Sequence, residues 1–180
     1  MSIIASKPKT EYSNAPEGLH QAVCCDVVDL GMQETGFDGK KAHKVQIRWQ
    51  LDQIDPKSKD KWPYMVTRSF RLSLHEKASL RAILESWRGR KFTPEELEGF
   101  DLEKLIGVNC QVQILHNVKQ GGETYANVQA IVPAPKNAPK LRVTESYIRV
   151  AEREKRAQLE KDPFGYGTES AHITDEDIPF

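Results

Sequence analysis

The stretch "KVQIRWQLD", residues 44–52, alternates without interruption: Val45, Ile47, Trp49 and Leu51 are apolar, while Lys44, Gln46, Arg48 and Gln50 are polar. A period of two is what a β-strand with one dry face needs, because successive side chains point to opposite sides of the sheet. A helix would scatter the same residues around its circumference. The stretch therefore predicts a half-buried strand with Trp49 in the core and a wet, partly basic second face.

Upstream, "GLHQAVCCDVVDLG" (18–31) is rich in β-formers and joins this strand through the turn "TGFDGKK" (35–41). Downstream, the loop "QIDPKSKDKWP" (53–63) leads to a third strand, "YMVTRSFRLSL" (64–74), in which Phe70 alternates with Val66 and Leu72 toward the core. The period then changes. Ser73 and Glu76 have capping-box spacing, and Leu80, Ile83, Leu84 and Trp87 follow at helical intervals up to Gly89. "TPEE" (93–96) is a second helix start, with Thr93 as N-cap and Pro94 in the first position. "DLEKLIG" (101–107) adds a further turn. Two more strands, "VNCQVQILHNV" (108–118) and "ETYANVQAIV" (123–132), are joined by the short glycine-bearing hairpin connection "KQGG".

Three strands, a helical insertion and two strands make a mainly-β chain with the element order of an OB-fold, a five-stranded Greek-key barrel with its helices between strands three and four. A β-sandwich fragment is the competing architecture. The expected organisation is a loose leader over 1–17, the OB-fold domain over 18–133, a linker over 134–166, and an acidic tail over 167–180. The linker opens on the stiff "PAPKNAPK" and contains a segment of helix-forming composition, residues 144–161, with only a weak apolar stripe.

A zero net charge conceals an uneven distribution. Residues 38–71 hold nine Lys or Arg against four acids, while residues 167–180 hold four acids and no Lys or Arg. No run approaches the roughly 18 apolar residues of a membrane span. The N-terminus lacks the apolar core of a secretion signal. Three cysteines, Cys24 and Cys25 adjacent and pointing to opposite faces, read with Cys110 as reduced thiols of a cytoplasmic protein. No phosphate-binding loop, nucleophile elbow, zinc-protease motif or metal-ligand spacing is present, so neither catalysis nor a cofactor is expected.

Nucleic acid suits the residues better. Grooves for single strands pair cations for phosphates with aromatic faces for bases. The candidate cations are Lys44, Arg48, Arg68 and Arg71 on strands two and three, with Lys57, Lys59 and Lys61 in the loop between them. Arg68 shares the Phe70 face, which leaves its direction open. Trp62 and Tyr64 flank Pro63 and either stack on bases or anchor the loop. Tyr125 lies with Asn127 and Gln129, opposite Val128, Ala130 and Val132; if those three face the core, Tyr125 points outward.

The chain ends on "DEDIPF": Asp175, Glu176, Asp177, Ile178, Pro179 and Phe180. This resembles the C-terminal tip of bacterial single-stranded DNA-binding proteins, where several acids precede Ile-Pro-Phe. The body, with its larger helical insertion, is more similar in layout to the bacteriophage-encoded members. The resemblance implies a non-enzymatic protein of the bacterial cytoplasm that coats single-stranded DNA and recruits replication, recombination and repair proteins through the tip. The alternative is a replication adaptor whose barrel binds protein. Association into a homo-oligomer stays open.

Overall fold

The computed structural model describes residues 13–36 and 39–161. The tip Asp175–Phe180 therefore lies outside the described residues, as do most of the leader and the end of the linker. Five strands form one antiparallel sheet: β1 (Gly18–Glu34), β2 (Lys41–Ile54), β3 (Pro63–Arg71), β4 (Asn109–Val118) and β5 (Thr124–Pro133), in the order β3-β2-β1-β4-β5. The alternation in β2 holds on its inner face, where Val45, Ile47, Trp49 and Leu51 are all buried. Phe70 joins that core from β3, as do Val112 and Ile114 from β4.

Between β3 and β4, α1 (Ser79–Arg88) lays Leu80, Ile83, Leu84 and Trp87 against the sheet. Trp87 meets Trp49 with ring centroids 6.0 Å apart, and Ser86 donates to the Ile131 carbonyl of β5 at 2.6 Å. Gly89 closes the helix with φ 67°, a left-handed conformation that costs glycine little. The expected helix start at Ser73 is not used. The Ser73 hydroxyl instead accepts from His75 N at 3.2 Å, a local turn, and the helix begins six residues later. The second start is as expected: α2 (Pro94–Glu98) carries a complete Thr93–Glu96 capping box. Glu96 also receives Arg90 and Arg88, and these hydrogen bonds hold its carboxyl well below the usual carboxylate range.

Two irregularities aim side chains where strict alternation would not. In β1 the register to β2 slips between Cys24 and Asp26, so Cys25 is an extra residue and Asp26 is fully buried. In β5 the slip falls opposite Gln113 and Ile114, with Val128 and Ala130 as partners and Gln129 left over. Val128 and Ile131 therefore face the core, whereas Ala130 and Val132 do not, which corrects the facing expected for the second half of this strand.

The edge strands β3 and β5 share no ladder, so the sheet is open. A side chain crosses between them. Arg68 Nη1 donates to the carbonyls of Val128 (2.8 Å) and Gln129 (3.1 Å), at the β5 bulge.

The largest departure from expectation is the segment after β5. Residues 134–147 belong to the same compact unit as the sheet and are packed onto it as a strap. Asn109 and Leu141 exchange two hydrogen bonds, 2.9 and 2.8 Å; Gln21 donates to the Pro139 carbonyl; Gln50 accepts from both the backbone and the hydroxyl of Thr144. Register puts Gln50, Val23 and Asn109 side by side across β2, β1 and β4, and the strap's anchors stand at both ends of that row. Gln50 and Val23 are each 1% exposed, so the supposedly wet face of β2 is dry there. Leader residues 13–17 are likewise docked: Ala15 is buried, its carbonyl bonds His116, and Asn14 donates to the Thr124 carbonyl. Residues 148–161 belong to a separate unit, and its helix α3 (Val150–Lys161) has no buried residue.

Candidate nucleic-acid interface

The loop between β2 and β3 is built to a fixed shape. Asp55 N donates to the Trp62 carbonyl (2.9 Å), Ser58 N to the Asp55 carbonyl (3.0 Å), and Trp62 N to the Ser58 hydroxyl (2.9 Å). Lys61 sits at φ 54°, a left-handed position unusual for a side-chain-bearing residue. The result is a tight loop from which Lys57, Lys59 and Lys61 all stand exposed.

The base of that loop opens onto a cleft of about 430 Å³ between the unpaired edges of β3 and β5. Asp55, Pro63, Tyr64, Met65 and Thr67 line one side and Tyr125 the other, with Ser13–Ala15 of the leader closing an end. Tyr125 is 38% exposed, and Lys119 of the β4–β5 turn lies over its ring at 5.6 Å, so this aromatic points outward as expected. Met65 is exposed beside it.

Tyr64 is different. It is buried in the main core, with its hydroxyl 3.3 Å from the Ser13 hydroxyl; only an edge reaches the cleft, and the anchoring alternative is the one realised. Trp62 is half-buried and packs against Tyr147 of the strap, centroids 6.3 Å apart and rings at 66°. It holds the strap's far end.

The strand cations divide similarly. Arg71 is exposed and stands opposite Lys44, whose ammonium is 3.5 Å from the Glu34 carbonyl. Together they make a cationic pair at one end of the β2–β3 ribbon. Arg48 is half-buried and donates to Gln46 at 2.9 Å. Arg68, whose direction the sequence left open, turns inward over Phe70 (5.2 Å) and is consumed by the β3–β5 bridge. It is therefore a structural clamp instead of a phosphate contact.

Sequence reasoning missed the strap, and with it the polar cluster it covers. Tyr147 donates to Asp26 Oδ2 at 2.9 Å. Burial pushes the Tyr147 hydroxyl up to about 12, with Cys25 and the bond to Asp26 adding to the rise. Burial likewise pushes the Cys25 thiol up to about 12. The local pattern gave no warning, because the anchors lie 32 to 121 residues apart.

No protein-family model matches the chain, and no curated protein matches it. No helix among the described residues is long and apolar enough to cross a membrane.

Proposed function

We propose that this is a non-enzymatic, single-stranded DNA-binding protein of low sequence preference, whose sheet is an OB-type barrel open at the β3–β5 seam. One observation carries the reading: Asp55 and Pro63, at the base of a hydrogen-bonded loop that bears three exposed lysines, line the same cleft as the exposed ring of Tyr125, over which Lys119 lies. Exposed cations beside an outward aromatic are what a single strand requires, phosphates on the former and a base on the latter. Lys44 and Arg71 extend the cationic edge along the β2–β3 ribbon. The element order and the seam between β3 and β5 support the barrel reading, since those are the strands an OB-fold brings together.

The tip resemblance supports the second half of the proposal, recruitment of replication, recombination and repair proteins through Asp175–Phe180. Phe180 offers a ring and Asp175, Glu176 and Asp177 offer carboxylates, so a pocket with an apolar floor and a basic lip satisfies both.

The test is a titration of labelled oligo-dT over a range of salt concentrations. Four to six neutralised phosphates give a log–log slope of about −3 to −4 for a single strand, at roughly 0.7 per phosphate. Salt-independent binding, or a preference for duplex, would refute the proposal.

A further inference from the structure

A second concavity, about 620 Å³, lies between the helical insertion and the beginning of the strap, with Pro133, Pro135 and Ala138 on one wall and Leu105 and Val108 on the other. Four cations line it, Arg88, Lys104, Lys136 and Lys140, and no carboxylate does. The three lysines are exposed. Arg88 is partly satisfied by Glu96, yet its Nη1 is buried without an acceptor among the described residues. Its guanidinium lies over the rings of Phe92 (4.6 Å) and Phe100 (5.1 Å), so it adds charge beneath the groove without a donor at the groove surface.

An apolar floor under an all-cationic rim suits a ligand that is flat and apolar in one part and anionic in another. A nucleotide within a strand is such a ligand, and the volume falls in the range of sites for small molecules. The route of the strap decides for a polymer. From this groove the strap runs across Asn109 and Gln50 and ends with Tyr147 on Trp62, at the lysine-bearing loop, carrying exposed Arg142 between. The strap thus leads from the groove to the interface described above, with Arg142 and Glu145 exposed along the way.

We propose that the groove is a second contact for the same single strand: Lys104, Lys136 and Lys140 hold phosphates, the apolar walls shelter a base, and the docked strap is part of the DNA-binding surface. This rests on the single-stranded DNA reading, and the test separates the two. Oligo-dT is titrated against the full chain, against K104Q/K136Q/K140Q, and against K57Q/K59Q/K61Q, over a range of salt. A second readout maps photocrosslinks from 5-iodouracil-substituted oligonucleotide.

The expected result is a salt slope reduced by about 2 in the groove variant, three lost phosphate contacts at roughly 0.7 each. Crosslinks should fall within residues 100–109 or 133–140. If the groove variant keeps the full slope and no crosslink maps there, while the loop variant loses slope, the groove proposal is overturned and the DNA reading stands. If the unaltered chain binds no oligonucleotide, both fall. If a free DEDIPF peptide binds the unaltered chain, loses affinity on the groove variant, and oligo-dT is indifferent to that variant, the groove is a peptide site and the proposal is overturned.

Discussion

The two faces of β2 carry their residues with equal regularity, but they obey different rules. On the inner face, Val45, Ile47, Trp49 and Leu51 are apolar and every one is buried. On the outer face, Lys44, Gln46, Arg48 and Gln50 are all polar, yet the first three are half-buried and Gln50 is as dry as the core. An alternating apolar row gains most when its whole face is buried, so its pattern reports its environment. A polar residue can enter the core where partners meet it there: the Gln50 side-chain carbonyl accepts twice from Thr144, while its Nε2 is buried with no partner among the described residues. Alternation therefore identifies the core without identifying the solvent.

The comparison breaks first, and most visibly, at Trp49. Trp49→Ala should cost about 3–5 kcal/mol, as a buried Trp truncation does, and shift the urea midpoint accordingly. A loss under 1 kcal/mol would mean that the inner face is not the organising core. Next come the two tyrosines of the cleft. Tyr64→Ala should lower stability by a few kcal/mol as a buried aromatic truncation. Tyr125→Ala should leave the melting temperature alone and weaken oligo-dT binding by about 1–3 kcal/mol. Exchanged outcomes would reverse the assignment of these two rings.

For the outer face, Tyr147→Phe removes the donor to buried Asp26 and should cost about 1–3 kcal/mol. It should also make residues 134–147 more sensitive to limited proteolysis; an unchanged digestion pattern would show that the strap does not depend on this anchor. High pH tests the same burial without a mutation. The thiol of Cys25 rises from 9.0 to about 12, and burial raises Cys24 and Cys110 as well. The folded chain then holds protons that the unfolded chain releases above pH 9. The associated stability is complete below that pH and is lost as pH climbs toward 12. Stability measured by urea unfolding should fall over that window, and all three thiols should resist alkylation in the native state near neutral pH. Rapid alkylation of the native protein would contradict their burial. The smallest effect on DNA is expected at the tip: Phe180→Ala should leave the oligo-dT isotherm unchanged while abolishing capture of tip-binding partners. A weakened isotherm would assign the ring to DNA.

How much could be read in advance follows from the same contrast. The five strands, the insertion, the Thr93 cap and the Gly89 stop are local events, encoded within a few residues of where they occur. The Ser73 signal misled because a serine hydroxyl serves a two-residue turn as readily as a helix start. The facing of β5 failed at Gln129 because an extra residue inverts everything beyond it. In the candidate site, the loop lysines and Tyr125 were legible as exposed groups. The clamp role of Arg68 and the anchoring role of Trp62 were not, since each is defined by a partner 60 or 85 residues away.

The Arg68 bridge has one more implication. Backbone ladders are commensurate: a strand that moves relative to its neighbour must shift by whole residues or lose its bonds. A guanidinium on a long, rotatable stem carries no such ratchet and can follow two carbonyls over small displacements while still donating to them. Between β3 and β5 a side chain thus stands where a ladder would, and no whole-residue register ties these two edges.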